Sequence, residues 1–380
     1  RRGAGVAPLF AVGVVLFSSF GCMAIGVYVH RTDLLADAAR KGVATLYARL
    51  VFPTMVFAGV ADIDLHSLDR SLMLVMLTSK ALLAALVVAY AARALKGREA
   101  APLAHAGALA MAASHSFDVT LGVPLCKVLF PSSIAYIYLN QSVQLVLVNP
   151  ILLVLMETGG SGKGGGLGAQ LRGAVGGVAT NPLVVMTVLG LLAGQIFGPG
   201  GLPVPVAALA KQVASAGPFL GFLCLGFALA GLSSTSAAEM RSAAVLNAAK
   251  LVVMPLLYTA CAHGFGCSAD PAFLSFVGTL PASASVYSLT MTKQLSPRIV
   301  GPLVPASMLL CVALCLLPLS PAAEALHATA IVRALIAACG VWGLASVSGT
   351  ASTTKAGAGK KAAPLKRSQS PGKKAGKKSQ

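Results

Sequence analysis

Apolar residues run along this chain in long stretches, and the polar and charged positions gather in short segments between them. A membrane-spanning helix needs about 20 mainly apolar residues. The pattern places such spans near 8–29, 43–61, 70–92, 102–123, 133–157, 173–197, 203–232, 239–262, 271–292 and 299–319. A further apolar stretch, 322–346, admits an eleventh helix over about 320–347, with Arg333 inside it. The glycine-rich segment 159–168 reads as a linker that parts two five-span halves, about 8–158 and 173–319. Its glycines lack the strand-to-helix context of a phosphate loop, so no nucleotide site is expected there. The fold class is therefore an all-α membrane protein of ten spans in a domain covering 1–319, followed by the extra helix and a tail from 348 to 380.

Composition supports that reading. Of 380 residues, 56% are hydrophobic and 11% charged, with a mean hydropathy of +0.81. Soluble chains carry about 25% charged residues, so a soluble enzyme is excluded. The net charge of +18 suggests a nucleic-acid binder until its distribution is read. Nine lysines and arginines with no acid lie in 351–380, the composition of a disordered tail. The remaining residues hold 20 basic and 11 acidic groups, and no nucleic-acid partner is expected. The eight cysteines show no metal-ligand spacing and read as small hydrophobes. No metal, cofactor or enzymatic activity is expected, since HExxH, GxSxG and paired intramembrane aspartates are all missing from the sequence. Alternate connections between spans hold 11 basic residues against two in the others, which puts the first end of the chain outside and the 159–168 linker in the cytosol. Plasma membrane and endomembrane (ER, vacuole or lysosome) fit equally well.

The halves echo each other. Pro53 answers to Pro218, Lys80 to Lys250, and the Asn181-Pro182 opening of span 6 to Pro8 before span 1. Five spans is an odd number, so the second half must run inverted, as in secondary transporters with a site near the bilayer midplane. Asp118 is the one carboxylate well inside a span, and Lys80 and Lys250 are the mid-span lysines. Such charges face a cavity or a partner, though either lysine could serve only to hold helices together. Around Asp118 the sequence reads SHSFDVTLGVP, with Ser116, Thr120 and Pro124 as candidate site residues. A Gly-x-Pro unit here removes helix hydrogen bonds that lipid cannot replace. The matching stretch, GTLPASASVY, contributes Pro281, Ser283, Ser285 and Tyr287. His115 is read as a satisfied interior polar group ahead of a proton relay.

These residues carry a family resemblance. LYARLVFPTMVFAG, DVTLGVPLCKVLF, NPLVVMTVLGLLAGQIFG and AGPFLGFLCLGFALAG resemble the auxin efflux carrier (PIN-like) family over roughly 8–319. The fifth span, IYLNQSVQLVLVNPI, is most similar to the animal branch, where the transporter domain is fused to a receptor-like domain in a lysosomal cholesterol-sensing protein. The resemblance implies two inverted five-helix repeats whose broken fourth and ninth helices cross between a scaffold and a mobile unit. It also implies that Pro124 and Pro281 are crossover prolines, and that Lys80 and Gln144 belong to a supporting polar site. An asparagine of the family motif is replaced in the Phe117-Asp118 pair, which argues against auxin itself. The expected function is alternating-access transport of a small organic, anionic solute, with Asp118 as the candidate proton exchanger. The rival is a sterol or lipid sensor that binds without transport. Expected partners are the solute and the bilayer, with a homodimer as the candidate assembly.

A tag placed in the 159–168 linker should be accessible only from the cytosolic face. Labelling of that tag in intact cells by an impermeant reagent would reverse the orientation.

Overall fold

The computed structural model describes residues 6–64, 66, 69–157, 176, 179–230, 236–316 and 330–341. These are α1 (Val6–Arg31), α2 (Asp37–Ala61), α3 (Arg70–Leu95), α4 (Pro102–Ser114), α5 (118–129), α6 (Pro131–Met156) and α7 (Pro182–Phe197). They continue as α8 (Val204–Ala230), α9 (Ala237–Gly264), α10 (Pro271–Thr279), α11 (Ala284–Lys293), α12 (Pro297–Leu316) and α13 (Ala330–Val341). Among the described residues no extended strand occurs.

Seven segments, within α1, α2, α3, α6, α8, α9 and α12, are long and apolar enough to cross a membrane, and the protein is a multi-pass membrane protein. The other three expected spans are not single long helices. The stretches 102–123 and 271–292 each break into two shorter helices, α4 with α5 and α10 with α11. Of the stretch 173–197, α7 is a 16-residue apolar helix, and most of what precedes it lies outside the described residues, as do the 159–168 linker and the basic tail. The proposed eleventh span is described only as α13.

Local chemistry fixes where helices begin. Asp69 caps α3 by accepting the Ser71 N–H at 2.8 Å, and the Ser71 amide and hydroxyl hold its carboxyl below the usual range. Asn181 and Asp270 do the same for α7 and α10, each followed by a proline at the first helical position, where no N–H is needed. Ser236 and Glu239 form a reciprocal capping box on α9.

Inside the helices, proline acts differently. Among the described residues four π turns occur, at Tyr47–Val51, Asp118–Gly122, Gln144–Val148 and Ala249–Val253. Each is followed by one residue and then a proline: Pro53, Pro124, Pro150 and Pro255. A proline ring in a straight helix collides with the carbonyl four residues back and removes one hydrogen bond. Widening the preceding turn relieves the collision without ending the helix.

Packing separates the helices into two bundles. In one, α1 lies along α8 and α7 along α2, with the first part of α8 also on α2. In the other, α3, α4 and α6 pack with α9, α10 and α12. Lipid offers no hydrophobic drive between helices, so close approach through small residues decides these contacts. Gly26 of α1 and Gly226 of α8 face each other so closely that a Cβ on either would strike backbone of the other helix. On the second pair, a Cβ at Gly190 or Gly194 would stand 2.9 Å from the Phe57 or Ala61 carbonyl oxygen.

Gly226→Leu should therefore part α1 from α8 and cost the protein its monodisperse elution. Gly13→Leu, on an open face of the same α1, should elute as wild type. Equal behaviour of the two variants would show that this contact does not hold the bundle.

Candidate functional site

The breaks in the two interrupted spans lie against each other. Residues 115–117 leave α4 before α5 begins, and residues 280–283 separate α10 from α11. Ser116 and Ala282 form an antiparallel bridge. The Phe117 N–H donates to the Pro281 carbonyl at 2.9 Å, and the Ser283 N–H donates to the His115 carbonyl at 3.3 Å. The Ala282 N–H donates to the Ser307 hydroxyl of α12 at 3.0 Å. Each broken helix thus supplies partners for backbone groups that the other cannot satisfy alone.

Charge converges on the same point. Lys80, Lys250 and Asp118 are each at most 1% exposed. Lys80 Nζ lies 2.6 Å from Gln144 Oε1, 3.4 Å from the Ser116 hydroxyl and 3.8 Å from Asp118 Oδ2. Lys250 Nζ donates to the Ser116 hydroxyl at 2.6 Å. The Ser116 N–H donates to Gln144 Oε1 at 2.8 Å, so one amide oxygen serves both the lysine and the unwound backbone. On the far side of the carboxylate, Asn140 Nδ2 donates to Asp118 Oδ1 at 3.1 Å, and the Tyr258 hydroxyl donates to Asn140 Oδ1 at 2.7 Å. Asp118 Oδ2 makes no hydrogen bond, and the Lys80 ammonium is its ion-pair partner.

Two cavities reach towards the crossing from opposite ends of α2 and α6, both between the bundles. The first, about 700 Å³, is lined by Met55, Gly59, Val119, Pro124, Tyr138 and Ala210, with Asp62, Lys127 and Lys211 also on its wall. The second, about 650 Å³, is more polar, with Arg49, His115, Gln141, Gln144, Asn149 and Ser285. A seam runs between the bundles beside the crossing. There Phe117 meets Phe222 edge to face at 5.5 Å, and the Tyr47 hydroxyl hydrogen-bonds Thr120 at 3.1 Å. Gly221 backs this contact, since a Cβ there would stand 2.8 Å from the Tyr47 oxygen.

The structure brings together Lys80, Lys250, Asp118, Gln144 and Ser116 as one hydrogen-bonded and ion-paired cluster, with Pro281 and Ser283 in the adjoining backbone crossing. Thr120 belongs to the seam and Pro124 to the first cavity. Ser285 faces the second cavity and bonds the Ser283 hydroxyl at 2.8 Å. Tyr287 is buried, with its carbonyl accepting from the Thr290 hydroxyl. His115 is buried, its Nδ1 lies 3.1 Å from the Ser114 hydroxyl, and its ring lines the second cavity. Sequence reasoning missed Asn140, Tyr258, Tyr47 and Ser307. A signal for part of this set existed: Tyr47, Asp118 and Gln144 each stand six residues before a proline, and Lys250 five before Pro255. That spacing places each side chain on a π turn.

No family model matches the chain. It is similar to the lysosomal cholesterol signaling protein of Mus musculus, 24% identical over 252 residues, which is 64% of this chain and 29% of that protein. The chain thus spans less than a third of that relative's length. No comparison supports the resemblance to auxin carriers, which rests on the motifs alone.

The 3.8 Å ion pair has a thermodynamic signature. Removing one member of a buried pair costs about 3–5 kcal/mol, because the other charge is left without compensation. Lys80→Met and Asp118→Asn should each lower the unfolding temperature in detergent strongly. The double variant should lose much less than the sum. Additive losses would mean that the two groups do not act on each other.

Proposed function

We propose that this protein carries a small organic anion across its membrane by alternating access, with the crossing of the two interrupted helices as the central site. The observation that supports this most is the arrangement of two cavities, entering from opposite ends, on either side of a buried charged crossing. A carrier needs a site that one side or the other can reach, with a barrier that changes places. The Tyr47–Thr120 and Phe117–Phe222 contacts form the present barrier. The Arg49, His115 and amide groups of the second cavity favour an anionic solute. Gln144 joins that cavity to the cluster, because it lines the one and bonds Lys80 of the other.

The ten-span inverted-repeat reading belongs to this proposal. Shifting each span by five exchanges the α1–α8 pair with the α7–α2 pair, and the α4–α5 break with the α10–α11 break. It also exchanges Lys80 with Lys250, and both lysines reach the one Ser116 hydroxyl. Asp118 has no acidic counterpart, so the site is asymmetric in charge. On this reading Asp118 exchanges a proton as the solute moves.

A sensor of sterols or lipids is the second reading, favoured by the name of the mouse relative and by the largely apolar wall of the first cavity. Flux separates the two. Purified protein in liposomes should take up a radiolabelled organic anion in a manner that depends on pH between about 5 and 8, spanning the histidine and perturbed carboxylate range. Asp118→Asn should insert normally and lose that pH dependence. Cholesterol binding with no flux of any anion tested would favour the sensor, and a fully pH-dependent Asp118→Asn carrier would remove Asp118 from the coupling.

A further inference from the structure

A third crevice lies away from the crossing, on the outer surface of the bundle that contains α3, α4, α9 and α12. Its volume is about 140 Å³. Its floor is apolar, formed by Ala91, Ala94, Leu95, Leu109, Leu246 and Ile299, and its rim carries Arg98, Arg241, Tyr90 and Ser242. Two guanidinium groups over an apolar floor match a molecule with an anionic head and a hydrocarbon body.

The surroundings narrow the ligand further. Three chain segments converge on this end of the bundle: the α3–α4 connection, the first turns of α9 and the α11–α12 connection. His105 of α4 ties two of them together through a 2.8 Å hydrogen bond to Ser296. Together these segments hold Arg93, Lys96, Arg98, Arg241, Lys293 and Arg298 against Glu99 and Glu239. Both acids are engaged nearby: Glu239 accepts from the Ser236 amide and hydroxyl, and Glu99 lies 3.6 Å from His105. Tyr90 is 40% exposed and Met240 50% exposed, so the crevice opens beside apolar surface of the kind that faces lipid. The loop-charge pattern puts this end on the cytosolic side, the leaflet rich in anionic lipid.

We infer that the crevice between Arg98 and Arg241 binds an anionic phospholipid, with the phosphodiester held by the two guanidiniums and an acyl chain on the apolar floor. Arginine presents a planar fork that grips phosphate oxygens in pairs, and the floor supplies a surface that a free phosphate cannot use. The site is separate from the crossing and does not depend on whether the protein transports. An anionic lipid here would bridge α3 and α9, the helices that carry Lys80 and Lys250.

Thermal unfolding of the detergent-purified full chain tests this with four probes: dioleoyl phosphatidylglycerol, dioleoyl phosphatidylserine, dioleoyl phosphatidylcholine and inorganic phosphate. Both anionic lipids should raise the unfolding temperature, phosphatidylcholine should raise it much less, and phosphate alone should leave it unchanged. The Arg98→Gln/Arg241→Gln variant should lose the lipid-specific rise. Ala94→Phe, which fills the crevice and keeps both arginines, should lose it as well. Arg93→Gln/Lys96→Gln, outside the crevice, should keep it. A rise with phosphate equal to that with lipid would overturn the lipid assignment. An undiminished rise in both the double-glutamine and Ala94→Phe variants would overturn the site.

Discussion

Breaking a helix in the middle of a membrane frees backbone groups that hydrocarbon cannot solvate, and in this protein two such breaks satisfy each other. The Phe117–Pro281 and Ser283–His115 hydrogen bonds make one unwound segment the partner of the other. Neither half of the chain could hold its break alone. That reciprocity sets the positions of α4, α5, α10 and α11 relative to one another. The lysines extend the same logic to charge. Lys80 and Lys250 approach from separate helices, and the hydroxyl of Ser116, inside the first break, meets both. The charged cluster and the backbone crossing are therefore one structure, and a change in one is felt in the other.

The four π turns show how the sequence brings polar groups to that point. A helix that stayed regular through Pro53, Pro124, Pro150 or Pro255 would suffer a steric collision; the widened turn avoids it and rotates the residues before it. Tyr47, Asp118, Gln144 and Lys250 are the side chains so placed. π turns inside otherwise regular helices are frequent at functional sites. The two bundles differ in their chemistry accordingly. One is joined by glycine contacts between α1 and α8 and between α7 and α2, while the other holds the lysines and the aspartate. Between them run the Tyr47–Thr120 and Phe117–Phe222 contacts beside the crossing.

Much of this was legible in the sequence, and the reason is the strength of the membrane constraint. Long apolar stretches leave little choice but helices, and seven of the ten expected spans coincide with described helices long and apolar enough to cross a membrane. Asp118, Lys80 and Lys250 stood out because a charge in such a stretch is costly, and Gln144 came with the family resemblance. The residues that escaped notice are neutral. Asn140, Tyr258 and Ser307 look like ordinary interior polar groups until the fold brings α6, α9 and α12 around the crossing. The pairing of the breaks with each other was implied only through the resemblance, since hydrogen bonds between residues so far apart leave no local pattern.

Under the proposed alternating access, the two bundles would move relative to each other as units around the crossing. Leu86 on α3 and Ile196 on α7 are exposed positions on opposite bundles. Spin labels at Leu86→Cys and Ile196→Cys, in a background with the native cysteines replaced, would report the separation by pulsed electron–electron resonance in lipid nanodiscs. Alternating access requires two distance populations whose ratio shifts with pH and with added organic anion. One narrow distance, identical under every condition, would contradict it.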